Sequence, residues 1–169
     1  MNNNLNGLPL PEIRDLIEAC RVDPGRAGRT PRVVAQWVGS RRSRIEFRDK
    51  TVTHIGGEDE LNPMQMLLAC LAACDVDLIA LHAGLMGIEL EALWVEAEGR
   101  FNVQAYLGLV DEPGSGYSDI GYTVHLRAPG ATAEQLETLR RRCERSSPVG
   151  DTLARGVPLR MVFVGDEEN

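Results

Sequence analysis

The sequence predicts an α+β fold in which antiparallel strands surround one long buried helix. Three observations lead there. Short β-rich runs crowd residues 33–55, a nearly unbroken apolar stretch follows Asn62-Pro63, and alternating segments then flank a second capped helix. Strands and helices segregate in the order meander, helix, hairpin, helix, strand, with none of the regular alternation that builds a parallel sheet.

Residues 1–8 are expected to be loose. Pro11 suits a helix start, and Ile13, Leu16, Ile17 and Cys20 recur at one-faced helical spacing. Asp23-Pro24-Gly25 stops that helix. Residues 1–31 therefore read as a helical extension and connector, 32–165 as the main domain and 166–169 as a solvated acidic tail. Val33 to Val38, Arg42 to Arg48 and Thr51 to Ile55 read as a meander, with Arg48-Asp49-Lys50 as a turn.

Gly56-Gly57 breaks the sheet. Asn62 is a good N-cap, Pro63 fits the first helical position and Gln65 completes a capping box. The helix should run to about Ala83 and end at Gly84. A helix apolar on nearly every side must be covered on every side, and one chain of 169 residues can hardly do so alone. A homodimer is expected. Ile88 to Val103 alternates as a long strand, bulged at Gly99. A glycine-rich loop at Asp111 to Gly116 precedes a strand at Asp119 to Ala128. Thr132 and Gln135 form a second capping box, with Leu136, Leu139 and Cys143 as the buried stripe. Pro148 ends or kinks that helix, and Val157 to Val164 reads as a final strand.

Composition narrows function by exclusion. The net charge of −7 argues against nucleic acid and against an anionic membrane as partners. The apolar stretch near 66–81 is interrupted by Asp75 and Asp77, so a core helix is the better reading than a membrane span. With no apolar leader at the N-terminus, four cysteines point to the reducing cytoplasm. His54, His82 and His125 are scattered, with no metal-ligand spacing, so neither a metal nor a cofactor is expected. Gly114 and Gly116 signal a loop, not a phosphate cradle. Arg140-Arg141-Arg142 with Arg145 reads as the wet face of a helix.

The residues that bear chemistry are Cys70 and Cys74, one turn apart in the apolar helix. A disulfide between them would distort it: partners four residues apart hold their Cβ atoms about 5–6 Å apart, where a disulfide wants about 3.5–4.5 Å. Residues 33–164 resemble the OsmC/Ohr family, the osmotically inducible and organic hydroperoxide resistance proteins. The resemblance rests on Gly56-Gly57, Asn62-Pro63, Leu67-Leu68-Ala69, Leu71-Ala72-Ala73-Cys74, Gly87-Ile88-Glu89-Leu90 and Ser147-Pro148-Val149, which stands where the family carries Cys-Pro-Val. It implies an intertwined homodimer with the long helices packed centrally, and a peroxidatic thiol that reduces organic hydroperoxides.

Position by position, the resemblance assigns Cys74 as the peroxidatic thiol and Arg41 as its activating cation, with Arg42 as a rival one residue away. Met64 stands where the family's Arg-holding Glu belongs, and Ser147 where its resolving cysteine belongs. Cys74 lies too deep in its helix for useful help from the helix dipole, so an ionised thiol needs a cation close by. With Met64 unable to hold Arg41, the anchors on offer are Asp77, Glu58 and Glu60. Asp77 has a second reading, as a cap or pair at the dimer seam. Cys143 reads as core filling, with an approach to Cys74 as the alternative, and Cys20 as packing on its own helix. An external thiol is the expected resolving partner. The alternative function is binding of a hydrophobic small molecule, with Cys74 structural.

Overall fold

The computed structural model describes residues 4–112 and 114–163. The predicted acidic tail, 166–169, lies outside them. Helix α1 spans Leu10–Val22. Strands β1 (Val34–Trp37), β2 (Ser43–Phe47) and β3 (Lys50–Ile55) form an antiparallel meander. Arg48 and Asp49 both take positive φ at the β2–β3 turn, the backbone twist that a two-residue hairpin requires. Helix α2 (Pro63–Leu85) follows, then β4 (Ala92–Phe101), the short α3 (Val103–Tyr106), β5 (Tyr117–Arg127), α4 (Ala133–Ser146) and α5 (Pro148–Arg155). Strands β4 and β5 pair antiparallel as a second, separate sheet.

Both predicted capping boxes are present. The Asn62 side chain accepts from Gln65 N–H while the Gln65 side chain accepts from Asn62 N–H, and Thr132 and Gln135 repeat the arrangement. Helix α2 packs against β4, α4 and α5. Its buried face, Leu71, Asp75, Leu78, Ile79, Ala83 and Gly84, meets Leu139 and Cys143 of α4, with Ile88 and Ala128 closing the core. By length and composition α2 could cross a membrane; here it is the central helix of a packed core.

Five local expectations are corrected. Helix α2 does not end at Gly84 but continues to Leu85, and Gly87, at φ 75°, turns the chain out. Gly84 serves packing instead: a Cβ there would stand 3.1 Å from Leu10 Cδ2 and 3.3 Å from Leu8 Cδ1. Of the N-terminal residues expected to be loose, 4–8 are held, and 1–3 lie outside the described residues. The Asn6 side chain donates to Ile88 C=O (3.0 Å) and accepts from Leu90 N–H (2.9 Å), a substitute for strand pairing. The long strand begins at Ala92, not Ile88, and its irregularity falls at Arg100/Phe101. Gly99 instead gives way to the Tyr117 ring, whose Cδ1 would lie 2.6 Å from a Cβ there. The expected stop at Pro148 is present: α4 ends at Ser146, and Pro148 opens α5, since proline suits a first helical turn.

The fifth correction is the final strand. Residues 157–163 have no regular secondary structure, and Val164 lies outside the described residues. A strand forms only beside another, and this segment reaches no sheet edge of its own chain. Its side chains are left in solvent, Leu159 94% and Phe163 91% exposed. The β1–β3 sheet likewise makes no more than marginal contact with other elements.

Leu10 is 1% exposed, so the N-terminal extension is anchored by a fully buried side chain. Leu10→Ala is expected to destabilise the fold by about 2–4 kcal/mol in denaturant unfolding. An effect below about 0.5 kcal/mol, the range of surface substitutions, would show that the extension is not part of the folded core.

Candidate functional site

Helix α2 presents two chemically different sides. Cys74 lies on the side that the chain leaves open: it is half-buried, while Cys70, Ala73 and Asp77 around it are exposed. All four cysteines are free thiols. Among the described residues Cys74 has no hydrogen bond or ion pair to a guanidinium, so one chain does not bring the expected cation onto the sulfur.

The two candidate cations sit at the β1–β2 turn, where Gly39 and Ser40 take positive φ. Arg41 is exposed. Its guanidinium lies 5.9 Å from the Tyr106 ring centroid and donates from Nη2 to the Tyr106 hydroxyl at 3.5 Å. Among the described residues it has no carboxylate partner, so neither Asp77 nor Glu58 nor Glu60 anchors it. Glu60 instead takes Arg42, accepting from Nε at 3.0 and 3.2 Å and from Nη2 at 2.5 Å. The Glu60 carboxylate is also fixed by Gly57 N–H at 3.0 Å. These bonds, the Arg42 pair foremost, push the Glu60 pKa down and raise that of Arg42. The close packing needs glycine twice. A Cβ on Gly57 would stand 2.8 Å from Glu60 Oε2, and one on Gly56, at φ 89°, would stand 2.3 Å from the Arg41 carbonyl oxygen. The Gly56-Gly57 pair thus locks the β1–β2 turn to the loop that feeds α2. Met64 gives only its backbone, its carbonyl accepting from the Tyr117 hydroxyl at 2.8 Å.

The other side of α2 carries a buried polar pair that sequence reasoning missed. Asp75 and Ser147 are each 5% exposed, and the Ser147 hydroxyl donates to Asp75 Oδ1 at 2.5 Å. Ser147 Oγ also accepts from Gly150 N–H at 3.1 Å and caps α5. Ser147 therefore joins α5 to α2 through a carboxylate one residue past Cys74. The available signal was an aspartate inside an apolar helix, which must find a polar partner if buried.

Cys143 lies behind this pair, 9% exposed. Burial, and secondarily the Asp75 charge, push its thiol up to about 11. It is a protonated core thiol at neutral pH, as its place in the apolar stripe predicts. The Tyr122 hydroxyl is raised by burial first, then by the Asp75 charge and a hydrogen bond to Asp75, and last by Glu144. Among the described residues no cluster of His, Cys, Asp and Glu is arranged to hold a metal.

The model of the OsmC-like protein family matches residues 56–162. No curated protein sequence matches the chain significantly. Among solved structures it is similar to an OsmC-like protein from Mycoplasma pneumoniae, at 16% identity and a TM-score of 0.62 over 76% of this chain and 89% of that one. It is also similar to an organic hydroperoxide resistance protein OsmC from Legionella pneumophila, at 23% identity and a TM-score of 0.52 over 76% and 90% of the two chains. A third is an organic hydroperoxide resistance protein from Elizabethkingia anophelis, at 18% identity and a TM-score of 0.53 over the same shares. At these identities the likeness is one of fold. With the family model matching well over half of its length, on a fold shared with these structures, the chain belongs to the OsmC-like family.

Proposed function

We propose that this protein is a cytoplasmic homodimer that reduces organic hydroperoxides with Cys74 as its single peroxidatic thiol. The Cys74 thiolate attacks the distal peroxide oxygen, the O–O bond breaks, and the alkoxide leaves as alcohol after taking a proton. The sulfur is thereby oxidised to a sulfenic acid. An external thiol condenses with it, releasing water and forming a mixed disulfide, and a second thiol reduces that disulfide. Ser147 cannot take part in a disulfide, and Cys143 is too little ionised to attack.

The observation that carries this reading is the placement of Cys74. It is half-buried on the uncovered side of α2, while the sheet that bears Arg41 stands off its own body and the segment 157–163 lies unpaired. A second copy of the chain would answer all three at once. It would cover the open helix side, give the last segment a strand to pair with and bring a guanidinium to the sulfur. Arg41 is the activator in this reading, because its charge is not spent on a carboxylate. Arg42, neutralised by Glu60, braces the turn that presents it. An opposite charge within about 4–6 Å lowers a pKa by roughly 1–3 units.

A second reading, binding of a hydrophobic small molecule with Cys74 inert, is favoured by Met64 and Ser147 standing where the family's Glu and resolving Cys belong. The two readings part on the chemistry of one sulfur. Under the first, brief exposure to cumene hydroperoxide adds a single oxygen, trapped as a sulfenic acid, at Cys74, and Cys74→Ser abolishes turnover. Arg41→Ala should slow the reaction by about tenfold or more, and Arg42→Ala by less. Light scattering should give twice the 18.6 kDa chain mass. A thiol unreactive over minutes and indifferent to Arg41→Ala would leave only the second reading.

Cys143 gives a separate check by pH. Its folded-state pKa is raised from 9.0 to about 11, so the fold holds its proton more tightly than the unfolded chain does. The resulting stabilisation is complete below about pH 9 and is lost as pH rises towards 11. Wild-type stability should therefore fall over that window by up to roughly 2 kcal/mol more than that of Cys143→Ala. Equal slopes in the two proteins would mean that the thiol is not desolvated.

A further inference from the structure

Behind α2, away from Cys74, a cavity of about 410 Å³ opens between α2, β5 and α4. Its walls include Ile79, Val124, Leu126, Leu136 and Leu139, and Asp75 lies among them. This carboxylate is 95% removed from solvent, yet the groups that bond it are neutral hydroxyls: Ser147 donates at 2.5 Å, and Tyr122, which also lines the cavity, is the second donor. None of the ion pairs among the described residues includes it. A buried carboxylate without a cation is costly, and a hydroxyl donor offsets only part of that cost.

The mouth does not supply the missing charge. Arg140 is the cation that lines the cavity, and it is already held by two carboxylates. It donates to Glu137 at 2.8 and 2.9 Å and to Glu144 as well. Glu144 lines the cavity too. With Arg140 paired to Glu137 and Glu144, Asp75 is the lining charge left without a counter-charge, and it makes the field inside the apolar walls negative. Anions are repelled from such a site. A neutral apolar molecule fills the walls but leaves the carboxylate uncompensated.

We propose that this cavity binds a hydrophobic amine, its ammonium paired with Asp75 and its hydrocarbon body against Ile79, Leu126, Leu136 and Leu139. The volume falls within the usual range for small-molecule sites, roughly 300–1,000 Å³. Ser147 holds the Asp75 carboxylate through Oδ1 and orients it, while the ammonium supplies the counter-charge that none of the described residues provides. Asp75 is the neighbour of Cys74 in α2, turned about 100° away from it into the core, and the amine site does not use the thiol.

Three probes of one length and differing charge test it on the full chain: octylamine, 1-octanol and octanoate, by calorimetry at neutral pH. Octylammonium should bind at least about tenfold more tightly than 1-octanol, with octanoate weakest, as expected for a charge-assisted pair in a desolvated site. Asp75→Asn should bring octylamine to the affinity of 1-octanol and leave 1-octanol itself nearly unchanged. Glu144→Gln should keep most of the amine preference, and Leu136→Trp should weaken amine and alcohol together by narrowing the cavity. Equal affinity for the three probes, or a preference for octanoate, would overturn the proposal on the unmodified protein alone, even if the Asn variant fails to fold. An amine preference that survives Asp75→Asn would overturn it as well. So would the absence of any octylamine binding, the result expected if a second subunit's cation already occupies the carboxylate.

Discussion

A helix of 23 residues with apolar side chains around most of its circumference has to be covered around most of its circumference, and the whole structure is arranged by that demand. Within one chain the cover is one-sided. Strand β4, α4 and α5 bury Leu71, Asp75, Leu78, Ile79 and Ala83, while Cys70, Ala73 and Asp77 stay in solvent. Even the N-terminal extension serves the same end. Leu8 and Leu10 close over Gly84 where the helix finishes, which is why that position has no side chain.

The one-sidedness sorts the chemistry. The face towards the chain's own core holds Cys143, kept protonated by burial, and a serine bonded to an aspartate. The open face holds the half-buried Cys74. Ser147 does not stand alone. Its hydroxyl donates to Asp75, and its oxygen also caps α5. Losing either residue would remove one hydrogen bond from a buried polar group.

Much of the scaffold was legible in the residues. The caps at Asn62 and Thr132, the Arg48-Asp49 turn and the alternation of β5 are local signals, each read from a few neighbouring side chains, and each is present. The misses have a common cause. Gly84 looks like a helix stop because glycine is a common stop; its packing against Leu10 joins residues far apart in the chain. Asn6 looks loose because its partners, Ile88 and Leu90, lie at the other end of α2. Val157 to Val164 has strand-forming residues but no neighbour to pair with.

What the sequence determined by itself was the fold class, the helix termini set by caps and the place of Cys74 within an apolar helix, because these depend on periodicity and on contacts a few residues long. The tertiary structure decided which side of that helix is open, that Glu60 holds Arg42 and leaves Arg41 free of a carboxylate, and that Asp75 is buried on Ser147 beside an apolar cavity. Those outcomes turn on which distant side chains meet. A carboxylate carries the same charge wherever it stands, but its burial, and so its consequence, is set only when the chain closes around it.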